Sequence, residues 1–370
     1  MTASESLVVL CVNSGSSSLK TAVFAVDGAA ERALGRAEHP VESGDYRAAL
    51  DEALTSFDEQ GLPAPGAAGH RVVHGGTRYA EAMLVGDDVL TELRAVVPFA
   101  PLHMPAAIAG IEAIGSRWEI PQVACFDTAF HHDMPELAQR LPLPDALWDA
   151  GVRRYGFHGL SYEYVVGALG AAQLGRAVIA HLGNGASMVA VDDGRSVDTT
   201  MGFTPAGGLI MSSRAGDLDP GVPVYLLREQ GYDADRLEQL VDREAGLTAL
   251  SGGTSDMRSL LEQQERDARA ALAVDAFCYQ ARKHVGALAV VLGGLDTLVF
   301  TGGIGEQAAP VRAGICRGLE HMGVQLDLAA NDAHAPVISA PGSECVVRVV
   351  RTDEDLVIAR QTREVVTRTG

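Results

Sequence analysis

The stretch Leu7–Val26, LVVLCVNSGSSSLKTAVFAV, decides the fold. It opens with an apolar run, Leu7 to Val12, of the length of a buried strand. Six small polar residues follow, Asn13-Ser14-Gly15-Ser16-Ser17-Ser18. A second apolar segment, Leu19 to Val26, then runs into the turn pair Asp27-Gly28. Strand, small polar turn, strand predicts a β-hairpin. Its tip carries hydroxyls, an amide and a glycine, with Lys20 just beyond. Backbone N–H groups in such a turn can cradle an anion, and a lysine adds a point charge. An ordinary polar hairpin tip has the same composition. The chain holds only two lysines, Lys20 and Lys283, so one at this tip is not a matter of abundance.

The pattern recurs half a chain later. Ala177–Val191 reads AVIAHLGNGASMVAV: an apolar run, the small tip Gly183-Asn184-Gly185-Ala186-Ser187, then apolar alternation into Asp192-Asp193-Gly194. Two such hairpins predict a duplicated domain. Two similar halves whose tips hold one polyphosphate are the layout of the actin-like, sugar-kinase-like ATPases. The chain has neither a G-x-x-x-x-G-K-[ST] loop nor a G-x-G-x-x-G fingerprint.

With 370 residues the chain is long for one core and sufficient for two. Its net charge of −19 excludes a basic nucleic-acid or membrane footprint. An anionic ligand would have to be met by a few particular arginines. The five cysteines, at 11, 125, 278, 316 and 345, have no paired spacing, which fits a reducing compartment. Met1–Glu5 lacks a basic leader and no apolar run reaches the length of a membrane span, so a cytoplasmic protein is expected.

Along the chain, Asp45–Gln60 places Tyr46, Ala49, Leu50, Ala53, Leu54 and Phe57 on one helical face. Gly69–Gly76 reads as a short strand in which Arg71 and Val73 share a face. Pro101–Pro105 is a rigid bend before a helix over Ala106–Arg117. Gln122–Phe126 is a buried strand with Asp127 at its C-terminal end, where α/β sheets meet ligands. Ser161 is read as the N-cap of a helix reaching Leu169. Thr199–Asp219 is a Gly-rich loop holding Arg214. Helices are expected over Asp233–Glu244 and Asp267–Leu292, the latter mostly buried, with Ser251–Arg258 a loop. Thr297–Thr301 is a strand that Gly302–Gly305 turns into a helix starting near Glu306. A last strand, Cys345–Val350, precedes a last helix, Asp353–Val366, with Thr352 as cap.

The histidines form no H-E-x-x-H pattern, and no G-x-S-x-G is present, so zinc hydrolysis and serine acyl transfer are disfavoured. Arg71 and Arg214 fit ordinary ion pairs, and Asp127 and Glu354 fit caps or solvent-facing groups. Phosphoryl transfer, however, needs phosphate cradles, a carboxylate for a metal and cations on the transferred group. The chain supplies each at a strand end or glycine turn.

These residues also carry a resemblance. Asn13–Lys20, Gly69–Gly76, Pro101-Leu102-His103, Phe126–His131, Tyr155–Gly159, His181–Gly185, Met201–Pro205 and Thr301–Glu306 stand in the order found in acetate kinases, so the chain resembles that family over nearly its whole length. The resemblance implies an α/β fold of two actin-like, ribonuclease-H-like domains, with mixed sheets flanked by helices and the active site in the interdomain cleft. It places the N-terminal domain at 1–131 plus 356–370 and the C-terminal domain at 132–355. It implies reversible in-line phosphoryl transfer from ATP to acetate with Mg²⁺, Mn²⁺ being an alternative metal. Catalysis falls to Asp127, Arg71, Arg214 and His158. ATP and its phosphates fall to Asn13, Lys20, His181, Gly183, Asn184, Gly185, Asp256, Met257, Arg258, Gly303, Ile304 and Gly305. The acyl substrate falls to Arg71, Val73, Leu102, His103, Phe157 and Pro205, and the metal to Asn13, Asp127 and Glu354. A homodimer is implied, with no nucleic-acid or membrane partner.

The chain departs from the family pattern at Met104, where Asn is usual, at Gly207, where Glu is usual, and through Arg351-Thr352-Asp353-Glu354-Asp355 in place of P-T-N-E-E. The alternatives are a propionate or other short-chain acyl kinase and a non-metabolic actin-like ATPase. Two arginines on an acceptor anion argue against the latter.

Overall fold

A computed structural model describes residues 6–14, 18–27, 30–41 and 46–369. The expected anion-cradling tip, Gly15 to Ser17, lies outside the described residues, as does Gly28. The chain divides into two units. The first comprises residues 1–132, 157–164 and 353–370, the second 133–156 and 165–352.

The first unit is built on a six-stranded sheet: β1 (Leu7–Ser14), β2 (Ser18–Asp27), β3 (Ala30–Pro40), β4 (Ala67–Val72), β5 (Met83–Leu84) and β6 (Gln122–Phe126), in the order β3-β2-β1-β4-β6-β5. The opening hairpin is there: β1 and β2 run antiparallel with Asn13 opposite Lys20. β4 and β6 then add parallel to β1. Strand alternation divides β1 between two cores. Val9 and Cys11 face Val357, Ile358 and Leu160, while Leu10 and Val12 face Leu50, Leu54, Phe57 and Ile114. The helix Tyr46–Glu59 buries the five apolar residues from Ala49 to Phe57 that its periodicity singles out.

The terminal helix, Glu354–Thr369, lies on the first of these faces. Gly69 on the central strand allows this, because a Cβ there would fall 2.1 Å from Thr362 Oγ1 and 2.5 Å from Ile358 Cγ2. The helix Gly159–Leu169 starts two residues before the expected cap Ser161, and its Leu160 belongs to this same core. That packing draws 157–164 into the first unit, whereas the sequence-based boundary put it in the second.

The second unit holds β7 (Ala177–Leu182), β8 (Ala186–Asp192), β9 (Arg195–Thr199), β10 (Thr297–Thr301) and β11 (Val346–Val349), ordered β11-β10-β7-β8-β9. Read from β9, the succession is antiparallel, antiparallel, parallel, parallel, the same as β3-β2-β1-β4-β6. The fold is thus a duplicated pair of mixed sheets flanked by helices. The long helix Ala268–Leu292, capped by Asp267, buries Ala273, Phe277, Ala281 and Leu288. It also exposes Leu272, Tyr279 and Val290, so it is less buried than its composition implied.

Several boundaries shift. Met257 and Arg258 open a helix rather than lie in a loop, with the Asp256 side chain accepting from Ser259 N–H. Gly303 to Gly305 form the first turn of the helix Gly302–Gln307 instead of preceding it. The terminal helix is capped by Asp353, whose Oδ1 accepts from Leu356 N–H at 3.1 Å, and not by Thr352.

One buried polar contact ties the Gly159–Leu169 helix to the terminal helix. Gln361 Nε2 donates to Glu163 at 2.7 Å, while the buried Gln361 Oε1 has no hydrogen-bond partner. Burial pushes the Glu163 carboxyl up from 4.5 to about 7, the Gln361 donor opposing. The folded state therefore holds a proton that the unfolded chain releases, and this group costs stability progressively as pH rises from 4.5 to about 7. Glu163→Gln, which can donate to Gln361 Oε1, is expected to melt with the parent protein at the acid end of that range and above it at neutral pH. Thermal melts across the range check this, and an offset independent of pH would refute it.

Candidate active site

β1, β4 and β6 are parallel, so their C-terminal ends lie at one edge of the first sheet. Asn13 comes from the end of β1, Arg71 from β4, and Asp127 follows β6. Glu354 joins them from the start of the terminal helix. Arg71 is the hub. Its Nε donates to both Asp127 oxygens at 3.2 and 3.1 Å, and its Nη2 to Asp127 Oδ2 at 2.6 Å. Nη1 donates to Asn13 Oδ1 at 3.1 Å, and Asn13 Nδ2 in turn donates to Glu354 Oε2 at 3.1 Å. Glu354 Oε2 is 4.0 Å from Arg71 Nε.

The Asp127 side chain is 1% exposed, those of Arg71 and Glu354 15%. Burial lifts the Asp127 carboxyl above the usual aspartate range, Arg71 and the Leu160 N–H opposing and Glu354 adding to the lift. Burial also disfavours the Arg71 charge, but Asp127 and then Glu354 outweigh it and hold the guanidinium above its ordinary value. Arg71 is therefore a fixed cation.

Gly159 makes this arrangement possible. Its N–H donates to the Asp127 carbonyl at 3.0 Å, and a Cβ on it would fall 2.1 Å from that oxygen. The helix starting at Gly159 can thus aim Leu160 N–H at the carboxylate. His158, one residue earlier, has φ of 60°, a strained conformation for a side-chain-bearing residue and one that recurs at functional sites. Behind it, His131 is buried and held neutral, its pKa pulled down to about 4 by burial, and Nε2 contacts the Phe157 carbonyl at 3.0 Å. Among the expected acyl-contacting residues of this unit, Val73 and Phe157 are buried and Leu102 is half-buried. Val73 lies one residue beyond β4. His103 stands at the N-cap of the helix Met104–Arg117, which begins two residues earlier than expected. Met104, where the family pattern has Asn, is fully buried core. Lys20 is half-exposed on β2 and pairs with Glu38 at 3.8 Å.

In the second unit, His181 on β7 is paired with Thr301 on β10. The turn after β7 therefore lies beside the start of the Gly302–Gln307 helix: a Cβ on Gly183 would be 4.0 Å from Gly303 N. Gly183 N–H donates to the Gly185 carbonyl, closing the tip. The Asn184 carbonyl accepts from Ser212 N–H at 3.1 Å, which ties that tip to the loop carrying Arg214. Arg214 donates to the Pro205 carbonyl at 2.6 Å. Asp256 is a helix cap and Arg258 is largely exposed, 3.6 Å from Glu262. Glu306, to which no role was given from sequence, accepts from the N–H groups of Gly302 and Thr352. Arg312 is fully buried and donates to the Gly305 and Glu306 carbonyls.

Among the described residues no group of three or more His, Cys, Asp or Glu side chains forms a metal cage. Two carboxylates and an amide at the edge of the first sheet are nonetheless hard oxygen donors. They suit a cation that completes its shell with water and substrate phosphate.

The Acetokinase family model matches residues 32–360. The chain is 44% identical to an acetate kinase from Micrococcus luteus, with 97% of this chain and 99% of the relative covered. The chain belongs to the Acetokinase family. Among solved structures it is similar to a propionate kinase from Francisella tularensis, with a TM-score of 0.88, 33% identity and 97% and 99% coverage. It is likewise similar to acetate kinase from Porphyromonas gingivalis, with a TM-score of 0.85, 34% identity and 97% and 100% coverage. The duplicated mixed sheets are accordingly the actin-like pair of this family, and the chain is a carboxylate kinase.

Sequence reasoning named Asn13, Arg71, Asp127 and Glu354, which the fold brings together, but gave no role to Gly159, His131 and Glu306, which it met only inside longer motifs. The G-F-H-G run held a signal for Gly159, since a glycine at the first position of an apolar helix suits a close backbone approach. Removing the carboxylate should show what the pairing costs. Asp127→Ala leaves Arg71 buried against Asn13 and Glu354 alone, an expected loss of roughly 3–5 kcal/mol. Arg71→Met/Asp127→Leu should lose less than Asp127→Ala. Denaturant unfolding of the three proteins decides, and a double variant weaker than the single would refute it.

Proposed function

We propose that this chain catalyses reversible transfer of the γ-phosphoryl group of ATP to acetate, giving acetyl phosphate and ADP. The observation that carries this reading is the buried Arg71 fork, pinned by Asp127 and Asn13 at the strand ends of the first sheet. An acetate oxygen attacks the γ-phosphorus in line as the bond to the β,γ-bridging oxygen breaks. The attacking oxygen is already anionic, so no general base is needed. Catalysis reduces to positioning and to cancelling charge between two anions. Arg71 and Arg214 neutralise the transferred group, with His158 and Asn184 donating to it. Asn13 and Lys20 in one unit, and His181, Gly183 and Gly185 in the other, serve the phosphates. Asp256, Met257, Arg258 and the Gly303-Ile304-Gly305 turn serve the nucleoside. Val73, Leu102, His103, Phe157 and Pro205 surround the acyl group.

Asp127, Glu354 and Asn13 would hold the Mg²⁺, or Mn²⁺, that accompanies ATP. The ion supplies charge neutralisation at the polyphosphate. Propionate is the second reading, supported by the likeness to the Francisella propionate kinase. One methylene is worth only ~1–3 kcal/mol in a pocket.

The active form is a homodimer through the second unit. The helix Gly221–Glu229 buries none of its residues and exposes Val222, Val224, Tyr225 and Leu227. The long helix separately exposes Leu272, Tyr279 and Val290. The five cysteines are free and buried, and no helix among the described residues is long and apolar enough to cross a membrane. The free, buried cysteines support a cytoplasmic location.

A hydroxamate assay for acyl phosphate, run on acetate, propionate and butyrate, tests the reading. Arg71→Ala and Arg214→Ala should each lower kcat by ~10²-fold or more while ATP still binds. Undiminished turnover by Arg214→Ala would sink the assignment. Val73→Ala should shift preference from acetate towards butyrate by the ~1–3 kcal/mol of a methylene-sized change. An unchanged preference in a folded variant would remove Val73 from the pocket.

A further inference from the structure

Three consecutive acids, Asp353, Glu354 and Asp355, open the terminal helix, at the point where the sequence departs from the family pattern. Successive helical residues point about 100° apart. Glu354 is the one that reaches Asn13 and Arg71. Its neighbours are held by one residue on the edge strand of the same sheet face. Arg36, on the edge strand β3, donates through Nη2 to Asp353 Oδ2 and through Nη1 to Asp355 Oδ2 at 3.2 Å. The guanidinium lies 5.3 Å over the Phe24 ring, which fixes its plane. The other Asp353 oxygen caps the helix at Leu356 N–H, and the Asp355 carbonyl accepts from Cys11 Sγ. Both aspartates are thus committed, by fork, cap and strand, to one orientation of the first helical turn.

We infer that Arg36 is a positioning residue for Glu354: by gripping Asp353 and Asp355 together, it presents Glu354 alone to the Asn13–Arg71–Asp127 cluster. This rests on the metal-binding role proposed for Glu354. Three adjacent carboxylates repel one another, and without the fork Asp353 and Asp355 are free to compete with Glu354 for the cation and for Arg71. The Arg36 side chain is 47% exposed but that of Asp355 only 13%, so losing the fork leaves a largely buried carboxylate unpaired and lowers stability as well. Metal dependence, measured where every variant is folded, is the readout that separates positioning from stability.

The experiment compares Arg36→Met, which keeps the stem over Phe24 and removes the fork, with Glu354→Gln. Two quantities are measured: the Mg²⁺ concentration for half-maximal turnover, and the calorimetric affinity for ADP with and without Mg²⁺. Arg36→Met should raise the Mg²⁺ requirement roughly tenfold, the scale seen when a residue supporting a metal ligand is removed. At saturating Mg²⁺ its kcat should stay within about threefold of the parent. The gain in ADP affinity on adding Mg²⁺ should shrink by the same factor, with metal-free ADP binding unchanged. Adding Arg36→Met to Asp353→Asn/Asp355→Asn should cause no further change, since the fork then has nothing left to grip. Should Arg36→Met fail to fold, Arg36→Gln, whose neutral single amide cannot hold both aspartates, carries the test, with a raised Mg²⁺ requirement expected. If Glu354→Gln raises the requirement and neither Arg36→Met nor Arg36→Gln does, the inference is overturned. If Glu354→Gln also leaves it unchanged, the metal role of Glu354 is wrong and the inference falls with it.

Discussion

The ion pair between Arg71 and Asp127 is the constraint around which the first unit is arranged. Two charges taken out of water cost several kcal/mol each, and their attraction repays this only when the remaining donors and acceptors are also met. Here they are met from four directions. Arg71 spends its donors on Asp127 and Asn13, Asp127 takes a further hydrogen from the Leu160 N–H, and Glu354 stands beside the guanidinium. Each of those partners arrives on a different element, so satisfying one buried pair fixes the register of β1, β4 and β6 and the entry points of two helices.

Close approach is what makes so many elements fit around one pair. The terminal helix can lie on the sheet because Gly69 has no Cβ to meet Thr362 and Ile358. The Gly159–Leu169 helix can begin against Asp127 because Gly159 has none to meet its carbonyl. A methyl group at either point would force backbone apart, and with it the geometry of the acids. The second unit uses its glycines at another place, where the Gly183 and Gly303 turns lie side by side at the ends of β7 and β10.

Much of this was legible in the sequence, because alternation, small-residue turns and strand-end acids are local signals. Both hairpins, the strand Gln122–Phe126 and the helix around Leu50 and Phe57 follow from period alone. What escaped was decided at long range or between adjacent equals. Thr352 and Asp353 are both good caps by type, and only the direction of the backbone gives Leu356 N–H to Asp353. Gly303 to Gly305 have poor helix propensity, yet Arg312, invisible as a partner in the sequence, takes the Gly305 and Glu306 carbonyls and ends that turn. The 157–164 segment follows its Leu160 into a core that includes Val357 and Ile358, about two hundred residues away. Lys20 was singled out for its rarity, but pairs with Glu38 across neighbouring strands.

The charge arithmetic of the cluster then bears on how an acidic chain can hold a polyphosphate. Asp127 and Glu354 set two carboxylates against the single guanidinium of Arg71, leaving one net negative charge at the edge of the first sheet. Half-buried as it is, that edge repels an approaching phosphate anion more strongly than an exposed surface would. Arg71 alone cannot reverse this, since its charge is already spent on Asp127. A divalent cation, if held by Asp127, Glu354 and Asn13 as proposed, would offset this negative charge. On that proposed role, the pairing that holds Arg71 in place would also couple anion binding to the metal, and the placement of Glu354 among three adjacent acids would bear on how much metal is needed.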